Sequence, residues 1–436
     1  MPLLILGGFS MSKLKMRERT TKMLNIHFSI LLGAYWMSVS VIGLFMVPLL
    51  RNRGFTNIQI SQLIMVRGIT AIISQPRIAA FADRHPRIQL KYIITGMLFI
   101  SLCATILFKS FRFNYLETVF LFVMYGMSQN SMTSFHSALA MKYVSSGRQV
   151  VYSVARGIGS VAYAVGAVMI GQFVEFWGNE FALNLEIVII IFGMYIAFTC
   201  DDYKLTDEML VGEAKRGKNR TKNLKQAHSN LYLLSHYNEY PLFLIAAMLV
   251  FLGYNMCNSY LIDVVTKLGG TSKHLGYAKF VVGMVELPTA ILFNRLKNRF
   301  SIQSLLKMAA TFQCIKMLGI YLAPNVWVLI GVQAFQMLGN GLFWSASVYY
   351  VNDTIDEVDR VKGQALTTIA STNAGNVIGA SLSGVLLTYY GIDRLIFTGV
   401  CTAAVGVVLM YIAMHISKVN KTKKELAKVE VEECIC

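Results

Sequence analysis

Twelve apolar stretches follow one another along this chain, and each is close to the roughly 20 residues needed to cross about 30 Å of hydrocarbon. They run over about 26–50, 58–82, 91–108, 116–143, 149–174, 181–200, 241–265, 275–294, 302–322, 325–350, 363–389 and 394–416. Inside lipid a spanning segment must satisfy its own backbone hydrogen bonds, so stretches of this length are helices. A chain that is 55% hydrophobic and 14% charged, with mean hydropathy +0.53, is not a soluble globule. The sequence therefore predicts an all-α protein that crosses a membrane many times, with the lipid bilayer as its first partner.

The gaps between stretches alternate in charge. Of 40 Lys and Arg residues, 28 fall before the first stretch, in every second gap after it, or beyond the last. Seven fall in the intervening gaps and five within the stretches. The basic side includes Lys13 to Lys22, Arg84 and Arg87, Lys142 and Arg148, the long run Lys204 to Lys225, Arg295 to Lys307, Arg360 and Lys362, and Lys418 to Lys428. Lys and Arg are retained in the cytoplasm, so the basic side is cytoplasmic. Both termini and the largest loop are expected there, in a multi-pass protein of the plasma membrane. The net charge of +17 also fits a nucleic-acid binder. The cations, however, sit in short loops beside apolar spans, so they report topology and no nucleic-acid partner is expected.

The polar segment 201–240 divides the chain. The expected organisation is a cytoplasmic N-terminus (1–25), six helices (26–200), a cytoplasmic loop (201–240), six more helices (241–416) and a cytoplasmic tail (417–436). The halves are alike. Shifting the first by 213 positions puts Gly166, Gly171 and Gly178 on Gly379, Gly384 and Gly391; shifting by 212 puts Pro76 and Phe81 on Pro288 and Phe293. Such glycines let helices approach closely. Two six-helix halves related by an axis along the membrane normal describe the major facilitator architecture. The short run Leu3 to Gly8 precedes the basic residues, the wrong order for a signal peptide, and Met11 or Met16 is an alternative start. Seven scattered cysteines show no ligand spacing. No metal or cofactor is expected, and Cys434 and Cys436 are read as inert tail residues, with acylation or metal binding as the alternatives.

The segment Gln75-Pro76-Arg77-Ile78-Ala79-Ala80-Phe81-Ala82-Asp83-Arg84 resembles the signature between the second and third helices of major facilitator transporters. Arg87 supplies the later positive charge, and Pro86 stands in the usual glycine region. With Ile94-Thr95-Gly96-Met97-Leu98, Tyr152 to Ser160 and Asp359 to Ala365, the pattern is similar to the lactose permease branch: oligosaccharide–proton symporters and phenylpropionate-transporter-like relatives. The resemblance implies twelve helices in two pseudo-symmetric bundles. It also implies a gating role for Asp83, Arg84 and Arg87, through a charge contact that breaks when the cavity opens inward. An ordinary loop cap is the alternative for Asp83.

Charges within the membrane are costly, and each needs a reason. Arg67, Arg156, Glu286 and Lys316 are placed deep by these boundaries, whereas Asp263, Lys279 and Glu186 are placed nearer the outer ends. Glu286 reads as a carboxylate that binds protons or solute, or as the partner of Lys316 or Arg67. A guanidinium such as that of Arg156 suits sugar hydroxyls or a carboxylate. Tyr163 lies seven residues further on, where it either packs or meets the solute. By the resemblance, Arg156 and Glu286 contact sugar, Tyr163 stacks on its ring, and Lys316 assists deprotonation of the coupling carboxylate. The alternative for Lys316 is a long side chain reaching the outer headgroups.

Departures from that family matter as much. Gln336 and Gly339 stand where the permease has its tenth-helix histidine and glutamate. Asn255 and Asn258 replace seventh-helix aspartates, and the fourth-helix acid is missing, with His136 or Ala138 near its position. His136 is a substitute proton carrier or a packing residue. These residues argue against lactose and leave Glu286 to carry coupling nearly alone. The expected function is secondary active transport of a small polar organic solute, a sugar or glycoside, by proton symport as a monomer. An organic anion such as a sugar acid or aromatic carboxylate is the competing solute, because deep cations outnumber deep anions. A non-transporting receptor is a further alternative. No catalytic or Walker spacing appears, so an enzyme is not expected.

Overall fold

The computed structural model describes residues 3–85, 88–146, 148, 150–202, 230–286, 288–356 and 359–435. It contains α1 (Leu3–Asn52), α2 (Asn57–Arg84), α3 (Leu90–Ser110), α4 (115–145), α5 (Tyr152–Trp177) and α6 (Phe181–Thr199). After a short helix, Asn230–His236, come α7 (Glu239–Ser259, extended by Leu261–Lys267), α8 (Ser272–Glu286 and Thr289–Lys297) and α9 (Ile302–Leu322). Next are α10 (326–354) and α11 (360–390). The last, α12 (392–435), is divided from α11 at Gly391, whose φ of 76° and ψ of 178° are not helical. Among the described residues, nine helices are long and apolar enough to cross a membrane. Dividing the last of them at Gly391 and adding α4 and α8 gives twelve, and no strand occurs among the described residues.

Local sequence explains where several helices begin and bend. Asn114 and Glu117 cap α4 reciprocally, each side chain accepting from the other's backbone N–H. Ser301 and Asn325 cap α9 and α10 by accepting from Ser304 and Val328. Pro288 interrupts α8, because proline brings no N–H to the helical ladder. Thr289 Oγ1 donates to the Val285 carbonyl at 3.0 Å, which quenches one backbone group at this break. Two helices outrun the hydropathy reading. α1 starts at Leu3 and α12 continues to Ile435, because a helix continues into water wherever no breaker stops it.

The chain forms two compact units. One holds Met1–Met46 and Ile69–Gly217; the other holds Val47–Gly68 and Lys218–Cys436. In the first, Phe28, Leu31, Ile94, Phe135 and Tyr143 lie in the apolar core. Gly166 brings α5 onto α1, where an added Cβ would stand 2.9 Å from Met37 and 3.0 Å from Ser40. In the second, Tyr240, Phe243, Phe343 and Tyr350 are central. Its hairpin segment, 47–68, packs at Gly384, where a Cβ would strike Ser61, and Arg51 forms an ion pair with Asp263.

The two units repeat the same devices. Gly178 and Gly391, 213 positions apart, end α5 and α11 at φ 80° and 76°, a conformation that favours glycine. Gly379 lies against α7 at Leu252 and Asn255, as Gly166 lies against α1. A π-helical turn interrupts α4 at Gly126–Asn130 and α10 at Met337–Gly341, 211 positions apart.

Candidate functional site

The C-terminal unit gathers buried polar groups on α7 to α10. Lys316, from the middle of α9, is 1% exposed, so its side chain does not reach the headgroups. Its Nζ donates to Gln336 Oε1 on α10 at 2.6 Å and lies 5.2 Å from the centre of the Tyr254 ring on α7. Gln336 in turn donates to the Tyr254 hydroxyl at 3.5 Å. Glu286 ends the first segment of α8, half-buried at the break, within electrostatic reach of both Lys316 and Tyr254. One helical face earlier on α8, Lys279 donates to Asn258 Oδ1 at 2.5 Å. Lys279, placed by sequence nearer an outer end of its span, is 4% exposed, so its side chain is turned into the protein. Asn258 and Gln336, the neutral residues at expected acidic or histidine positions, are thus the acceptors of two buried ammonium groups. An amide oxygen spares each lysine an unsatisfied donor without supplying a counter-charge.

The N-terminal unit carries the other expected residues. The Arg156 guanidinium lies 4.0 Å over the Trp36 ring of α1 and donates to Ser160 Oγ at 2.8 Å. Gly159 makes room for that indole, since a Cβ there would meet Trp36 at 2.5 Å. Tyr163, two turns on, is half-buried. His136 on α4 is buried, with its ring 4.8 Å from that of Tyr35. Both its nitrogens are without a hydrogen-bond partner among the described residues. Arg84 is the exposed last residue of α2 and Asp83 lies in the same turn; Arg87 is outside the described residues.

Among the sequence-selected residues, Glu286 and Lys316 come together, whereas Arg156, Tyr163 and His136 belong to the other unit. Tyr254, Trp36, Gln129 and Glu186 were missed. Glu186 is the clearest case: expected near an outer end, it is fully buried and accepts from Ser38 Oγ at 2.6 Å and Gln129 Nε2 at 3.3 Å. Its signal was available, as a single acid within an otherwise apolar stretch. No group of three or more potential metal ligands occurs among the described residues.

A family model described as the MFS_1 like family matches residues 26–399, most of the chain. The chain belongs to that family. It is a multi-pass membrane transporter of the major facilitator type and not an enzyme. Its fold matches the crystal structure of the nucleoside transporter NupG with a TM-score of 0.74 at 13% identity, covering 91% of this chain and 99% of that one. The D-xylose–proton symporter matches at a TM-score of 0.63 and 15% identity, covering 90% and 97%. No curated protein sequence matches this chain.

Proposed function

We propose that this protein moves a small polar organic solute by proton symport with alternating access. Glu286 is its principal proton site and Lys316 is the cation that tunes it. One observation carries this reading: a half-buried carboxylate at a helix break, within electrostatic reach of a fully buried ammonium group. Discontinuous helices at membrane depth are tolerated where they are buried in protein or line a cavity, and transporters bind solutes and ions at such breaks. The solute contacts are Arg156, Tyr163 and Glu286, while Asp83, Arg84 and Arg87 bias the gate. His136 is the alternative proton carrier. The chain acts as a monomer in the plasma membrane, with both termini cytoplasmic.

A sugar or glycoside remains the leading solute, and the neighbouring folds of a nucleoside transporter and a xylose–proton symporter are in keeping with a hydroxyl-rich ligand. The buried Lys316 and Lys279 favour an organic anion as the second reading. A thermal-shift screen with neutral sugars, nucleosides, sugar acids and aromatic acids separates them, because a ligand stabilises the state it binds. In proteoliposomes, Glu286→Gln should abolish accumulation driven by a pH gradient while exchange of internal for external solute persists. Continued uphill accumulation removes Glu286 from the coupling role and promotes His136. Loss of both activities makes the residue one of binding or structure.

A further inference from the structure

The N-terminal unit holds a carboxyl group with no assigned use. Glu186 is 0% exposed. Oε1 accepts from Ser38 Oγ and Gln129 Nε2, and Gln129 Nε2 also lies 2.7 Å from Ser38 Oγ, closing a three-membered cluster across α1, α4 and α6. Oε2 has no partner among the described residues. Every donor to Glu186 is neutral. α1 presents Ser38 and Tyr35, and α4 presents Gln129 and His136. α3 and α5, which also pack on α6, bring it no hydrogen bond. Of the two lysines of α3, Lys109 is exposed in its last turn, and Lys91 is engaged at the far end of α6 with the Cys200 carbonyl and Asp202.

An ionised carboxylate offers about four acceptor sites on two oxygens. Here one oxygen is served and the other is bare, with no counter-charge. Burying an ion under those conditions is far more costly than burying the acid. The acid form costs less: Oε1 is a hydrogen-bonded carbonyl, and Oε2 is a neutral hydroxyl whose O–H has no acceptor among the described residues. A cavity of about 10 Å³ lies beside the cluster, room for one water molecule. Ser38, Tyr35 and His136 line it together with Ile189, Ile190 and Gly193 of α6. Ser38 thus touches the cavity on one side and the carboxyl on the other, and His136, with both nitrogens unpartnered, faces the same space.

We propose that Glu186 is a second proton-carrying site, held as the acid in the state described here and reached through the Ser38 and His136 cavity. Ser38 and Gln129 are positioning residues that fix which oxygen bears the proton. The place of this site in a transport cycle rests on the symport reading above; its protonation does not, and the test addresses protonation.

Infrared spectra of the purified full-length chain in lipid nanodiscs at neutral pH should contain the carbonyl stretch of a protonated carboxylic acid. Glu186→Gln, which keeps the shape and the acceptor oxygen, should remove that band. Ser38→Ala should keep it but move it to higher frequency, because the carbonyl loses a donor. Absence of any such band in the wild type overturns the proposal even if the Gln variant fails to fold. A band that survives Glu186→Gln and disappears in Glu286→Gln also overturns it, since the acid is then the other residue. A band unmoved by Ser38→Ala refutes the assignment of Oε1 as the carbonyl. Failure to find any transported solute leaves these spectra decisive.

Discussion

The crossing of α7 and α12 offers a graded test of the packing. A Cβ added to Gly253 would stand 2.2 Å from the backbone oxygen of Gly399 and 2.9 Å from Thr402 Oγ1. Ordinary contact begins near 3.4 Å, so the helices must part by about 1 Å, and a backbone oxygen cannot swing aside. Overpacking of this kind costs about 1–3 kcal/mol. In a unit of this size each kcal/mol lowers the melting temperature by about 2–4 °C, so Gly253→Ala should lower it by about 2–12 °C. Gly399→Ala should do less, because its Cβ would meet Cys257 Sγ at 3.0 Å and the Gly253 carbonyl at 3.1 Å. Gly331→Ala in α10 meets nothing within 4 Å and should be neutral, or stabilising by about 0.5–1 kcal/mol. The assay is thermal unfolding of the purified protein, followed by thiol-reactive fluorescence. A Gly253→Ala protein that melts with the wild type, or above Gly331→Ala, refutes the close crossing.

Three further outcomes are expected. Tags placed within 203–229 and at the C-terminus should be shielded from impermeant reagents in intact cells; exterior labelling of either contradicts the charge argument. Asp83→Asn should insert and fold normally yet slow transport at matched expression, whereas an unchanged rate makes Asp83 a loop cap. Gly178→Ala and Gly391→Ala should each cost about 1–3 kcal/mol, because positive φ with ψ near 180° is open essentially only to glycine, and a large difference between their melting shifts would mean that the two turns are not equivalent.

The architecture was legible because lipid leaves so few options. Hydropathy located the spans, and Pro288 announced the interruption in α8. Repeated glycines such as Gly178 and Gly391 exposed the duplication, because only an unusual backbone conformation demands glycine at both ends. The site was legible only in outline. The burial of Glu186 and Lys279 was not legible, because position along a stretch bears on depth in the bilayer and says nothing about which face of the helix a residue occupies. Both lie near a span's end in sequence, yet both turn inward to neutral partners on α1, α4 or α7. Those partners, Ser38, Gln129 and Asn258, carry no charge and so leave no mark on a charge-based reading. The π-helical turns were also unseen, since they reflect tertiary crowding more than local composition.

The turn at Met337–Gly341 has a consequence for comparing this chain with any relative. A π turn holds one residue more than the α-helix it replaces, and at 3.6 residues per turn one residue is about 100° of azimuth. A helical wheel drawn through α10 as a uniform helix therefore assigns Gln336 and Trp344, on opposite sides of the turn, to faces that are wrong relative to each other. Substitution matrices and covariation statistics inherit that error whenever a homologue lacks the extra residue. The correspondence of Gln336 and Gly339 with proton carriers elsewhere is thus a question about a gap of one position, to be answered by superposing backbones rather than by matching letters.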